Sequence, residues 1–175
     1  MRLTTRLAIT VAAVGAGMAL TAAPSSAAPG SGTGVERATA AYELRARHSG
    51  RCLDVFGASA ANGADAIQWT CHQGANQHWR MVPAGGGWHE IRALHSNKCL
   101  DVLAASTTNG ADVVQWACHG GANQRWLLVS TATGMEIRAR HSGKCLDVFG
   151  ASMANGADVI QWTCNGGANQ RWQRV

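Results

Sequence analysis

From about residue 41 onward the chain is built of short stretches in which apolar and polar residues alternate, each cut off by a cluster of Gly, Asn or Ser. Tyr42-Glu43-Leu44-Arg45-Ala46-Arg47 alternates with period two, and Glu90 to Leu94 and Glu136 to Arg140 repeat it. Leu44, Ile91 and Ile137 therefore read as inward positions of half-buried strands. Small polar turns follow at His48-Ser49-Gly50, Ser96-Asn97 and Ser142-Gly143. Cys52-Leu53-Asp54-Val55 predicts a second strand, with Leu53 and Val55 on one face and Cys52 and Asp54 on the other, because side chains alternate along a strand. A polar loop from Gly57 to Ala64 contains an Asn62-Gly63 turn signal. Ala66-Ile67-Gln68-Trp69 predicts the third strand, and a fourth is expected to begin at Asn76-Gln77-His78-Trp79 and run out through Met81 and Val82. No ten-residue window combines helical spacing with capping, so the expected class is all-β.

This unit occurs three times. Cys52, Asp54, Asn62, Trp69, Cys71, Asn76, Gln77 and Trp79 recur as Cys99, Asp101, Asn109, Trp116, Cys118, Asn123, Gln124 and Trp126. They recur again as Cys145, Asp147, Asn155, Trp162, Cys164, Asn169, Gln170 and Trp172. The offset is 47 residues from Cys52 to Cys99 and 46 from Cys99 to Cys145, the mark of a repeat architecture. The repeats span about 41–84, 88–130 and 135–175. A four-stranded unit is too small to bury its own apolar face, which points to a closed three-fold assembly. Closure also removes exposed sheet edges.

The first 28 of the 175 residues have a different character. Arg2 and Arg6 precede an apolar stretch from Leu7 to Leu20, and small residues follow to Ala28. This reads as a secretory signal peptide over 1–28. At about 14 residues the apolar run falls short of the roughly 20 that a membrane span needs. A flexible lead-in over 29–40 would then precede the domain at 41–175. The expected location is extracellular. Fifteen Lys and Arg stand against ten Asp and Glu, and without Arg2 and Arg6 the excess falls to +3, scattered along the chain. A nucleic-acid partner would want a clustered basic face, so none is expected.

Six cysteines in a secreted context imply a disulfide framework, with 15 pairings open in principle. The repeat narrows the choice: a unit that builds itself three times most simply links Cys52 to Cys71, Cys99 to Cys118 and Cys145 to Cys164. The competing reading is a metal site, since His72 and His119 follow Cys71 and Cys118. The third copy has Asn165 there and no Cys-x-x-Cys occurs, so four zinc ligands are not assembled. Neither metal nor cofactor is expected.

Gln77-His78-Trp79, Gln124-Arg125-Trp126 and Gln170-Arg171-Trp172, each preceded by Cys-Leu-Asp-Val, resemble the signature of ricin-type β-trefoils. That family includes the lectin chains of plant toxins and the family-13 carbohydrate-binding modules of secreted bacterial glycosidases, and the repeats look like those of actinobacterial secreted proteins. The resemblance covers about residues 41 to 175. It implies twelve strands in three subdomains with one potential sugar pocket in each.

The family pattern also implies roles. Asp54, Asp101 and Asp147 would accept hydrogen bonds from two adjacent sugar hydroxyls, through charge-assisted bonds. Trp69, Trp116 and Trp162 would be the stacking platforms. Asn76, Asn123 and Asn169 would reach a hydroxyl, while Gln77, Gln124 and Gln170 would steady the aspartates. His72, His119 and Asn165 would add a contact. Trp79, Trp126 and Trp172 read instead as core. Asp65, Asp112 and Asp158, just after Asn-Gly-Ala, read as turn-stabilising residues.

One departure from the family stands out. Many members place a sugar-contacting glutamine two positions before the platform. Here Ile67, Val114 and Ile160 occupy that position, and Gln68, Gln115 and Gln161 come next. Alternation turns those amides toward the core, which is costly without partners, and a local bulge would resolve it. Galactose-like or xylan-like glycans are the expected partners of a monomer with three pockets. A glycosidase would need two carboxylates across one bond, and Asp54 with Asp65 is the available pair within a unit. Three-fold repetition of both argues against a single evolved catalytic centre. A trefoil that binds a protein partner through a loop, as inhibitors of this shape do, would have no need of the pocket residues in all three copies.

Overall fold

The computed structural model describes residues 40–175. The expected signal peptide and nearly all of the lead-in lie outside the described residues. Twelve strands form among the described residues, four to a repeat. The first repeat holds β1 (Ala41–Ala46), β2 (Cys52–Val55), β3 (Ala64–Trp69) and β4 (His78–Pro83). The second holds β5 (Trp88–Ala93), β6 (Cys99–Val102), β7 (Ala111–Trp116) and β8 (Trp126–Thr131). The third holds β9 (Gly134–Ala139), β10 (Cys145–Val148), β11 (Ala157–Trp162) and β12 (Trp172–Arg174).

The first and fourth strands of each repeat close a six-membered antiparallel ring: β1 pairs with β4 and β12, β5 with β4 and β8, and β9 with β8 and β12. The hairpins β2–β3, β6–β7 and β10–β11 cap it, and β3, β7 and β11 pair with one another around the approximate three-fold axis. This is a β-trefoil. Leu44, Ile91 and Ile137 fill the core with Leu53, Leu100 and Leu146. Trp79, Trp126 and Trp172 are fully buried there. Each of their indole N–H groups donates to the carbonyl of Leu53, Leu100 or Leu146 at 3.0 Å. Replacing one by alanine would cost roughly 3–5 kcal/mol. Disulfides join Cys52 to Cys71, Cys99 to Cys118 and Cys145 to Cys164.

Several local expectations change. The fourth strands begin after the Ala-Asn-Gln triplets, because Ala75–Gln77, Ala122–Gln124 and Ala168–Gln170 each form a 3-10 turn. Asp65, Asp112 and Asp158 do not stabilise turns. They sit on β3, β7 and β11 with exposed side chains that make no hydrogen bond among the described residues. No bulge interrupts β3, where Val55, Asp54, Leu53 and Cys52 face Ala66, Ile67, Gln68 and Trp69 in unbroken register. The buried amides find partners instead. Gln68 accepts from Ser49 Oγ at 2.8 Å and donates to the carbonyls of Ser152 and Ala154 at 2.7 and 2.8 Å. Gln115 reaches Ser59 and Ala61 in the first repeat, and Gln161 reaches Ser106 and Thr108 in the second. Each glutamine thereby ties its own repeat to a neighbour.

Candidate functional site

Strand alternation builds the site. With Leu53 and Val55 committed to the core, Asp54 must face away from it, and across the hairpin Ile67 and Trp69 share that outward face. The chain after β2 turns sharply through a 3-10 segment, Phe56–Ala58, which contains left-handed Gly57 and brings Phe56 over the same hollow. Asp54, Phe56, Ile67, Trp69, His72 and Asn76 enclose a hollow of about 310 Å³. Trp69 is 38 % exposed, so the ring is held by the protein and still open to a ligand.

Asp54 lies on the floor, 3 % exposed. Its oxygens accept from Asn76 Nδ2 at 3.0 Å and Gln77 Nε2 at 2.7 Å. Asn76 also donates to the carbonyl of Val55 at 3.3 Å, so both of its amide hydrogens are used and its Oδ1 is left to accept from a ligand. Gln77 is fully buried behind the aspartate and does not line the hollow. Its Nε2 also donates to Thr70 O and its Oε1 accepts from His72 N–H, which makes it a strut. Gly74 N–H donates to His72 Nδ1 at 3.1 Å. The remaining ring hydrogen is thus on Nε2, 3.4 Å from Asp54 Oδ2. A Cβ at 74 would sit 2.4 Å from His72 Cε1 and 2.6 Å from Asn76 Oδ1, so a larger residue there would displace the ring and the amide from their places in the site. Burial pushes the Asp54 carboxyl above its ordinary range. Gln77, His72 and Asn76 pull the other way without cancelling it. Asp101 and Asp147 are raised for the same leading reason.

The other two repeats rebuild this arrangement with differences. In the second, Asp101, Leu103, Trp116, His119 and Asn123 line a hollow of about 370 Å³. Asp101 accepts from Asn123 at 2.9 Å and Gln124 at 2.8 Å. Val114 is buried on the same strand and is not among the lining residues, unlike Ile67 and Ile160. Leucine replaces phenylalanine at 103, and Ala104 takes the left-handed conformation that glycine holds in the other copies, a strained choice for a residue with a Cβ. In the third, Asp147, Phe149, Ile160, Trp162, Asn165 and Asn169 line a hollow of about 270 Å³. Asp147 accepts from Asn169 at 2.9 Å and Gln170 at 2.7 Å. Asn165 Oδ1 takes the Gly167 N–H at 2.8 Å, the bond that the histidine ring accepts elsewhere. Trp116 and Trp162 are 38 % and 37 % exposed.

Sequence reasoning did not single out the apolar wall. Phe56 and Phe149 are more than half exposed and Leu103 more than a third, and a large apolar residue straight after each Cys-Leu-Asp-Val was the signal available.

The family model of the ricin-type β-trefoil lectin domain matches residues 40–172. The chain belongs to this family. Its ricin-type trefoil is similar to a designed three-fold symmetric protein, ThreeFoil, at 50% identity over 77% of this chain and 97% of that one, with a TM-score of 0.76. It is similar to an exo-β-1,3-galactanase from Clostridium thermocellum at 37% identity and a TM-score of 0.76, over 78% of this chain and 30% of that much longer one. The Rhizoctonia solani agglutinin is 25% identical over 77% of this chain and 93% of its own, with a TM-score of 0.72. As a ricin-type lectin domain, the chain is a carbohydrate-binding protein.

Proposed function

We propose that the three hollows are three saccharide sites of a non-catalytic, multivalent lectin that acts outside the cell. The observation that carries this reading is the three-fold recurrence of one half-open indole beside one buried, amide-held aspartate. The indole offers a flat apolar face to the C–H side of a pyranose, and the carboxylate accepts from two hydroxyls at fixed angles. Asn76, Asn123 and Asn169 then contribute an acceptor oxygen. Phe56, Leu103 and Phe149 shield the ring from the opposite side.

One aspartate and no other acidic residue lines each hollow among the described residues. Hydrolysis of a glycosidic bond needs two carboxyl groups across the bond, which favours binding without cleavage. Secretion is supported by the signal-like opening of the sequence and by three disulfides, which form in oxidising compartments. Galactose-like or xylan-like polymers fit shallow sites of this kind. One ring in one such site binds with about millimolar strength, or roughly −4 kcal/mol. Three sites on one rigid body raise the avidity for a polymer by orders of magnitude.

An array of glycans and polysaccharides, probed with the protein, tests the reading. Selective retention by pyranose polymers, lost on competition with the matching free sugar, supports it. A folded protein that ignores the whole array overturns it.

A further inference from the structure

Each indole that faces a hollow is gripped by a turn from a different repeat. The backbone on either side of Trp116 is held by the Asn62-Gly63 turn of the first repeat. Gly63 N–H donates to Gln115 O at 2.9 Å, and Ala117 N–H donates to Asn62 Oδ1 at 3.0 Å. A Cβ on Gly63 would lie 3.5 Å from Trp116 Cζ3, so the ring edge stands one methyl's width beyond the turn.

The contact set recurs. Around Trp162, Gly110 N–H donates to Gln161 O at 2.9 Å and Asn109 Oδ1 accepts from Thr163 N–H at 3.0 Å. Around Trp69, Gly156 N–H donates to Gln68 O at 2.9 Å and Asn155 Oδ1 accepts from Thr70 N–H at 2.9 Å. The ring edges lie 3.7 and 3.6 Å from the corresponding Cβ positions. The first repeat thus serves the second hollow, the second serves the third and the third serves the first. Gly63, Gly110 and Gly156 have φ of 79°, 83° and 80°. Backbone conformation rather than space demands glycine, since those Cβ distances are ordinary contacts.

We infer that Asn62, Asn109 and Asn155 are positioning residues for the sugar platform of the next repeat around the ring, so that every hollow is assembled from two repeats. The inference rests on the reading of the hollows as saccharide sites. β7 ends at Trp116, and the next backbone N–H, on Ala117, finds its acceptor in the neighbour's asparagine. A platform with one open face must hold its orientation before the sugar arrives, because ordering it on binding costs affinity. Of the three turns, that of Asn62 is the simplest to interrogate: among the described residues its Oδ1 accepts from Ala117 N–H alone, whereas Asn155 Oδ1 also takes bonds from Thr70 Oγ1 and Arg51 Nε.

The test is a crossover. Asn62→Ala is introduced into a protein that retains only the first hollow (Asp101→Ala, Asp147→Ala) and into one that retains only the second (Asp54→Ala, Asp147→Ala). Dissociation constants are measured by titration with lactose and with xylotriose. The second-hollow protein is expected to weaken roughly three- to tenfold, the effect of one net hydrogen bond, while the first-hollow protein stays within about twofold although Asn62 belongs to that repeat. In parallel, ¹H–¹⁵N spectra of the single variant are expected to shift the indole resonance of Trp116 and leave those of Trp69 and Trp162. Asn62→Asp, which keeps the acceptor oxygen, restores it. The spectral arm needs no sugar, so a shift confined to Trp116 in a protein that binds neither sugar would uphold the clamp and exclude only lactose and xylotriose as ligands, while the array decides the saccharide reading itself. Equal weakening of both single-hollow proteins, or a shift shared by all three indoles, would overturn the clamp.

Discussion

Replacing Gln68 by leucine tests how the three repeats are held together. The side chain is fully buried, and a leucine of similar bulk would fill its place without its three hydrogen bonds. Ser152 O keeps a donor, because His48 Nε2 also bonds to it at 2.9 Å. Ala154 O loses its side-chain donor from Gln68. Three bonds at about 1 kcal/mol net each, offset in part by water reaching the loop, give a loss of about 2–3 kcal/mol. For a domain of this size that lowers the thermal midpoint by roughly 6–12 °C. Gln68→Glu should be worse: it can still accept from Ser49 but turns a second acceptor toward two carbonyls. Circular dichroism melts with matching urea midpoints measure both. A change below about 0.5 kcal/mol, typical of surface substitutions, or a glutamate variant more stable than the leucine one, would refute the idea that these amides bind the repeats together.

Other outcomes follow from the same geometry. The aspartates titrate above their ordinary range because they are buried. Saccharide binding, which needs the ionised acceptor, should therefore fade on acidification through that raised range, measurable as retention on a polysaccharide column against pH. Folding stability from the same groups has the opposite sign: it is fully present below the unfolded-state pKa and is lost as pH rises through the folded one. An Asp101→Asn variant should flatten the second hollow's share of both profiles. Replacing Cys99 and Cys118 together by serine opens a loop with a sequence separation of 19, which should cost about 3 kcal/mol in a chemical-denaturation curve.

Much of this architecture was legible in the sequence because alternation is a strict geometric rule. Once Leu53 and Val55 belong to the core, Asp54 cannot, and the same parity puts Trp69 outside with Ile67. The period selected the cysteine pairs once Asn165 and the lack of a Cys-x-x-Cys had set a metal site aside. What stayed hidden needed partners distant in the chain. Gln68 looked like a liability because the carbonyls that satisfy it belong to residues 152 and 154, 84 and 86 positions away. Local pattern could not see the 3-10 turns, since Ala-Asn-Gln is held by the hydrogen bonds of Asn and Gln to an aspartate more than twenty residues earlier. The same distance hid the second role of Asn-Gly: its hairpin signal was plain, and its docking on a neighbouring tryptophan was not. Asp65 was misassigned to a turn because β3 begins two residues earlier than its apolar run suggests.

Whether saccharide is held at the three aspartate-centred hollows is read by affinity electrophoresis through gels containing the polysaccharide selected on the array. Asp54→Ala alone should be retarded slightly less than the parent, while Asp54→Ala, Asp101→Ala and Asp147→Ala together should migrate as in a gel without polysaccharide, with an unchanged circular dichroism spectrum. A folded triple variant still retarded as strongly as the parent would contradict it.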